Sequence, residues 1–298
     1  MFARRHFLLG LATMPLLQAC SAPLAALSGT ASTESGLRIL NESARAHGAE
    51  AFARTHDISV SYQGEWRPLM NRLQPALVDA GFRGGSQERL LLRARLIGQS
   101  HQGPDGQKQV LRRPGMEPSD LAVAFNGTEA TDRPRRNAAA LVADAYALFL
   151  LGPLWLTTLP PGRLIVEQAG VDTIQSGGAP LQCDVLRIGL QPGLGFAASD
   201  RLDILIAQDD HLMRRVRFTL DGLGSTQGAL AEVDTWRHVA LGGIQFPTCF
   251  HEQLLRPLPL PVHDWQLTGL DLDRGLQLSD IAIAGFSGPA ARPATPVP

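Results

Sequence analysis

Hydrophobic and polar residues alternate along most of the chain, which is the pattern of half-buried β-strands. In Asp57–Trp66 the apolar side chains fall on one face of an extended segment. Strand-like segments follow at 88–100 and 120–127, and seven more come from residue 163 onward, separated by turn residues. We therefore expect roughly ten antiparallel strands, and a sheet of that size tends to curl.

Two segments depart from this alternation and have the spacing of helices. An N-terminal helix is expected over Ser35–His47, where apolar residues recur at helical spacing before a glycine. The second segment, Arg135–Thr158, is rich in Ala and Leu and apolar on all sides, so it is either buried or in a membrane. Asp144 lies inside it and Gly152–Pro153 interrupts it, which favours a buried helix. The pattern predicts a mainly antiparallel α+β fold, a strongly curved sheet with this helix as its lid or plug.

Composition narrows the range of functions. The chain has 298 residues, 44% of them hydrophobic, which is enough for a sizeable core. Its formal net charge is −1, so no basic surface indicates a nucleic-acid partner. The sequence contains no GxSxG, CxxC or HExxH motif, and we predict no cofactor.

The first nineteen residues have the features of an export signal. Arg4 and Arg5 precede an apolar segment, Phe7–Leu17, which is too short to span a bilayer. The letters RRHFLL resemble the twin-arginine pattern, while ordinary secretion stays open as an alternative. We predict a signal peptide over residues 1–19.

The end of this segment, LQAC, resembles a bacterial lipobox, in which cleavage occurs before a cysteine that then carries lipid. This resemblance implies lipidation of Cys20 and a membrane anchor at the periplasmic face. Ser21 at the next position favours the outer membrane. Residues 20–35 are small and polar, which predicts a flexible tether, and the Pro/Ala-rich residues 286–298 predict a disordered tail.

Three cysteines are present, so a lipidated Cys20 leaves Cys183 and Cys249. In an oxidising compartment an even pair of cysteines suggests a disulfide. Two buried free thiols are the alternative, because cysteine also packs as a small hydrophobic residue. Sequence spacing does not decide between them.

A hairpin turn at Gly242–Gly243 brings metal-capable residues to one face of two strands. The implied register pairs Asp234 with His251 and places His238 and Cys249 on the same face, because side chains alternate with a period of two. These are residue types that bind metals. The simpler interpretation is that this is the solvated face, and a metal-dependent enzyme is the less favoured function.

Two segments carry a resemblance to a known family. LDILIAQDDHLMRRVRFTLDG and VDTWRHVALGGIQFPTCF are similar to consecutive hairpins of the LolA/LolB-type lipoprotein-carrier superfamily. The likeness extends from Leu37 to Leu278. It implies a half-barrel domain over residues 36–285, with helices covering an apolar cavity.

The same resemblance implies a function, namely binding or carrying a hydrophobic or acylated ligand. Large apolar side chains on the central helix and late strands are the candidate cavity lining: Leu148, Phe149, Trp155, Trp236 and Trp265. Expected partners are a membrane, through the N-terminal lipid, and a lipid ligand; the sequence identifies no protein partner. A structural or partner-binding lipoprotein without a ligand is the alternative, and it would have a filled core.

Overall fold

The computed structural model describes residues 23–176, 179–286 and 290–293. The predicted signal peptide and the predicted lipidation site, Cys20, lie outside these residues. Within the described part, no helix is both long and apolar enough to cross a bilayer.

Helices and strands follow the predicted order closely. The helices are α1 (Glu34–Ala46), α2 (Ala49–Arg54), α3 (Pro68–Leu73), α4 (Pro75–Val78), α5 (Arg133–Leu151), α6 (Pro153–Thr157) and α7 (Leu278–Ile281). The strands are β1 (Asp57–Trp66), β2 (Gly85–Leu91), β3 (Leu96–Gly103), β4 (Gly106–Arg112), β5 (Leu121–Phe125), β6 (Thr128–Glu129), β7 (Leu164–Ser176), β8 (Ala179–Leu190), β9 (Asp200–Ala207), β10 (Met213–Thr219), β11 (Leu230–Leu241), β12 (Ile244–Arg256) and β13 (Leu260–Leu272).

All thirteen described strands form one antiparallel sheet, in the order β6-β5-β4-β3-β2-β1-β13-β12-β11-β10-β9-β8-β7. The sheet is curved and unclosed, and β6 and β7 are its outer strands. The predicted fold class is therefore confirmed. The strand count exceeds ten partly because residues 88–100 form a hairpin, in which Arg95 adopts a left-handed φ of 53°.

Helix α5 fills the space in front of the sheet, as predicted for a buried helix. Every residue from Ala138 to Leu151 is buried, and the helix contacts β3, β4, β5 and β12. Gly152, with a φ of +43°, ends α5, and Pro153 begins α6. The helix and the sheet thus share one hydrophobic core.

An ion pair fixes α5 in this position. Arg112 on β4 donates from Nε and Nη2 to the carboxylate of Asp144, at 3.1 and 2.8 Å, and both side chains are almost fully buried. The N–H of Gly195 donates to the same carboxylate at 2.8 Å, and Arg112 also donates to the carbonyl of Gly195. A charged residue is tolerated inside an apolar helix because its hydrogen-bonding capacity is satisfied.

The described part of the expected tether contacts the sheet. Leu24 is buried, its carbonyl accepts a hydrogen bond from Arg201 at 2.9 Å, and Ser28 donates to Glu167. The N–H of Thr33 donates to the carbonyl of Val166 at 2.8 Å. Strand β7 lies at the edge of the sheet and offers unpaired backbone groups, so the segment binds there despite its polar composition.

The described part of the expected tail also contacts the sheet. The carbonyl of Arg292 accepts a hydrogen bond from Leu270 on β13 at 2.8 Å, and its N–H donates to Asp271. Pro293 forms an isolated bridge with Gly269. These two residues thus bind backbone groups of β13 and the side chain of Asp271.

The structure separates the two cysteines, for which a disulfide and free thiols were both open. Cys183 lies on β8 and Cys249 on β12, and both are free thiols. Three strands, β9, β10 and β11, lie between them, each adding about 4.8 Å. A disulfide needs Cα atoms within about 7 Å, so the order of the strands separates the pair.

Candidate ligand-binding site

Strands β2, β3 and β4 carry polar side chains on the face that α5 covers. The register aligns Val60 of β1 with Glu88, Gln99 and Val110 on successive strands, so the two polar residues occupy core-facing positions. The next aligned row contains His101 and Lys108. Glu88, Gln99, His101 and Lys108 are each only 1% exposed. This half of the interior is therefore polar, unlike the half formed by β8–β11.

Arg83, in the loop before β2, is the cation at the entrance to this polar region. Its Nη2 donates to the hydroxyl of Tyr146 on α5 at 2.9 Å, and its guanidinium lies 5.0 Å from the ring centroid of Trp66. Its Nη1 is buried and has no hydrogen-bond partner among the described residues. An unpaired N–H of this kind costs free energy, and an acceptor oxygen from a ligand would satisfy it.

Aromatic rings form the surface beside Arg83. His263 stacks between Trp66 and Trp265, with centroid distances of 4.1 and 4.6 Å. Trp265 stacks in turn on Phe250 at 4.9 Å and on Tyr146 at 5.2 Å. Since these rings offer flat apolar faces next to a cation, they suit a ligand with a hydrocarbon part and a polar end.

Burial changes the protonation of the groups around Arg83. Desolvation raises the pKa of Glu88 from 4.5 to about 7, although the hydrogen bond from Gln99, 2.6 Å long, partly opposes it. Glu252 lies opposite His263 on the neighbouring strand, and desolvation likewise raises its pKa to about 7. The pKa values of His101 and His263 are well below 6.5, again mainly because of burial. The histidines are therefore neutral at pH 7 and the two carboxyl groups are about half ionised, so Arg83 is the fully charged group among them.

The pocket lined by these residues holds little free space. Its volume is about 20 Å³, enough for about one water molecule. Its walls are Tyr62, Trp66, Arg83, His101, Tyr146, His263 and Trp265, with glycines and Ser86 at the rim. We call it the Arg83 pocket. In this state the pocket has room for a small polar group.

Of the five predicted cavity residues, Trp265 lines this pocket. Leu148, Phe149, Trp155 and Trp265 all belong to the main hydrophobic core and are at most 8% exposed. They fill the region between α5 and the sheet instead of lining an empty cavity. Trp236 was expected with them but belongs to the opposite face of the sheet, because the core-facing position on β11 is taken by Thr235.

The register predicted from the Gly242–Gly243 turn is the one observed, with Asp234 opposite His251. The metal cluster does not assemble from it. Asp234 binds Arg215, with one contact of 2.9 Å, and His251 binds Asp264. His238 contacts Arg214 instead, at 3.1 Å. Within the described residues no group of three or more His, Cys, Asp or Glu side chains could hold a metal ion.

Arg83, Tyr146, His263 and Glu88 were not identified from the sequence as site residues. Tyr146 lies in the apolar helix, where its position is that expected of an ordinary core residue. Arg83 lies in a loop whose sequence matches no known motif. One signal was present: Glu88 falls opposite Val60 once β1 and β2 are paired, which places a carboxylate on the apolar face. That signal requires the register, which local pattern alone does not supply.

Comparison with known proteins finds a similarity of fold. No family model matches the chain, and no curated protein matches it. Among solved structures, a DUF1329 family protein from Desulfovibrio piger is 13% identical, with a TM-score of 0.52, and covers 86% of this chain and 100% of its own. A LolA superfamily protein from Nitrosomonas europaea is 11% identical, with a TM-score of 0.51, covering 84% and 98%. A structure described as an outer membrane lipoprotein-sorting protein domain, from Vibrio parahaemolyticus, is 10% identical, with a TM-score of 0.50, covering 83% and 96%.

Proposed function

We propose that this chain, which has a LolA-like fold, binds or carries a hydrophobic or acylated ligand between α5–α6 and the sheet. The unpaired Nη1 of Arg83 beside the aromatic surface is the observation that carries this proposal. Arg83 binds the polar end of the ligand, a carboxylate or ester oxygen, and the hydrocarbon part replaces contacts between α5 and the sheet. The names of the structural neighbours, which include a lipoprotein-sorting domain, support a ligand of this class.

The break between α5 and α6 gives the cover of the site a point at which it can move. Gly152 has a left-handed φ of +43°, and Pro153 supplies no backbone N–H to continue the helix. The middle of α5 is fixed by the ion pair of Asp144 with Arg112, whereas α6 has no ion pair among the described residues. Ligand entry therefore moves α6 and the last turns of α5. Burying a few hundred Å² of hydrocarbon at about 25 cal/mol per Å² stabilises the open, occupied state.

Lipid binding is testable with protein purified without detergent. Native mass spectrometry should show co-purifying lipid, and dansyl-labelled undecanoic acid should gain fluorescence on binding. Arg83→Gln should weaken binding of this probe about 10- to 100-fold, because a hydrogen bond to a charged group contributes about 1.5–3 kcal/mol. Arg54→Gln, which removes an exposed arginine on α2, is the matched control and should leave binding unchanged.

The same experiment includes a ligand control. Dansyl-labelled undecane, which lacks the acid group, should bind wild type and Arg83→Gln equally, because it makes no hydrogen bond with the guanidinium. Wild-type protein that contains no lipid and gives no response to either probe would refute the carrier proposal.

A filled interior favours a second candidate function, that of a structural or partner-binding lipoprotein. The predicted cavity residues on α5 and β13 are packed against one another, and the free volume beside them is about 20 Å³. In this case α6 and the end of α5 would not move. If the amides of α6 and of the end of α5 exchange hydrogen only at the rate of global unfolding, these helices do not open. That result, together with no lipid binding, would support this function.

The anchor is proposed separately, because Cys20 lies outside the described residues. We expect a periplasmic lipoprotein attached to the outer membrane through Cys20. Metabolic labelling with an alkyne fatty acid should mark the wild-type protein, and Cys20→Ala should abolish the label and release the protein from the membrane fraction. Cys249→Ala, at a half-buried position, is the control and should keep the label. A label that persists in Cys20→Ala would show that the lipid is attached elsewhere.

A further inference from the structure

The face of the sheet turned away from α5 contains a second cleft. On β11, Val233 and Thr235 face the core, so Asp234 and Trp236 face the other way. On β12, Phe250 faces the core. His251, which pairs with Asp234, lies on the outer face beside Asp234 and Trp236. These outward residues form the floor of a cleft of about 590 Å³. We call it the Trp236 cleft.

The β7–β8 hairpin forms one wall of this cleft. A bulge between Gln168 and Gly170 interrupts the pairing of the two strands. Beyond this bulge, Ile174 packs in a small cluster with Leu205, on the face of the sheet away from α5. Asp172 in the same hairpin binds Arg217 of β10 at 3.0 Å, although β8 and β9 lie between their strands. The hairpin therefore folds over the outer face of the sheet, and Ile174 and Gln175 line the cleft.

Two arginines, Arg214 and Arg237, and one carboxylate, Asp234, line the cleft. The carboxylate of Asp234 is neutralised by Arg215, and His251 is hydrogen-bonded to Asp264. The guanidinium of Arg237, an exposed residue at the cleft, has no hydrogen-bond or ion-pair partner among the described residues. Arg214, although paired with Asp210, has a buried Nε without a partner. Two guanidinium groups thus have N–H groups available for an anion.

The lining also limits what kind of ligand fits. Trp236 and Ile174 are its two large apolar side chains, and the others are polar or charged, so a purely hydrocarbon ligand would leave many polar groups unpaired. An indole face beside hydrogen-bonding groups suits a ring that has an apolar face and hydroxyl groups at its edge. A sugar ring has this structure, and an acidic substituent on it would pair with the arginines.

We propose that the Trp236 cleft binds a saccharide that carries an acidic group. The sugar ring stacks on Trp236, and the acid binds Arg237 and Arg214. The site is separate from the Arg83 pocket, because the sheet lies between the two. The proposal therefore does not depend on lipid binding.

Trigalacturonate is a suitable probe, and maltotriose is its neutral counterpart. Calorimetric titration of the full chain should detect binding of trigalacturonate, with maltotriose at least about tenfold weaker because it makes no ion pair. Arg237→Gln should reduce trigalacturonate affinity by about tenfold and leave maltotriose unchanged. Arg54→Gln removes an exposed arginine elsewhere and should have no effect.

The stacking contact needs its own variants, because Trp236 is half-buried. Trp236→Ala should abolish saccharide binding, whereas Trp236→Phe keeps an aromatic face and should retain part of it, which separates loss of stacking from loss of folding. Three results would overturn the proposal: no binding of trigalacturonate, equal binding by Trp236→Ala, or an equal affinity for inorganic phosphate, which would show an anion site without sugar recognition.

Discussion

Replacing Asp144 with alanine is expected to reduce the free energy of unfolding by about 3–5 kcal/mol, because it leaves the buried Arg112 without its counter-ion. Arg112 is 0% exposed, and its Nη1 already lacks a partner among the described residues. The variant also removes the acceptor for the Gly195 N–H. Urea unfolding followed by circular dichroism measures the difference, and the melting temperature should fall in parallel.

Two further variants test the cause of this loss. Arg38→Ala breaks an ion pair on α1 in which the arginine is 57% exposed, and it should change stability by less than about 1 kcal/mol. Arg112→Met combined with Asp144→Leu removes both charges and should recover much of the stability. A loss below about 1 kcal/mol in Asp144→Ala would mean that the ion pair does not fix α5.

Replacing Glu88 with glutamine is expected to stabilise the protein at high pH, by about 3 kcal/mol, and to have little effect below about pH 4.5. The folded state raises the pKa of Glu88 from 4.5 to about 7. Between these values the folded chain keeps a proton that the unfolded chain has released, so wild-type stability falls as pH rises. This loss of stability is complete above about pH 7, and Glu88→Gln does not undergo it.

Measuring the difference between variant and wild type isolates this effect. Burial lowers the pKa of His47 to about 4 and that of His238 to about 3, so these groups destabilise the folded state as pH falls below 6.5, which is the opposite direction. Because both proteins contain the histidines, their contribution cancels. Glu65→Gln, at an exposed position on β1, is the control for replacing a carboxylate that is not buried. A difference for Glu88→Gln that is constant with pH would contradict the raised pKa.

Local patterns predicted the elements whose signals lie within a short stretch of sequence. Strand β1 has the predicted bounds, Asp57–Trp66, because its alternation is uninterrupted. The Gly242–Gly243 turn fixed the register of β11 and β12, since both residues need a positive φ, 59° and 85°. Residues 88–100, which the pattern predicted as one strand and which form a hairpin, show the limit of this approach. The turn of this hairpin, at Arg95, contains neither Gly nor Pro, so the pattern carries no mark of it.

Features that depend on distant parts of the chain were not predictable in this way. The Arg83 pocket combines a loop, helix α5 and strand β13, and its residues have no common sequence spacing. The separation of Cys183 from Cys249 follows from strand order, which spacing does not contain. The contacts of Thr33 and Arg292 depend on which strands have unpaired backbone groups.

The pairing of the first strand with the last has a consequence for the order of synthesis. β1 and β13 are neighbours at the centre of the sheet, while the outer strands β6 and β7 are joined through α5 and α6. Asp57, at the start of β1, accepts hydrogen bonds from the backbone of Arg274, Gly275 and Leu276, which follow β13. A nascent chain therefore makes two separate meanders and joins them only when its last strand has left the ribosome. A circular permutant that begins at Gly162 and links the two ends of the domain would make this central pair a local contact, and it should fold faster with the same sheet.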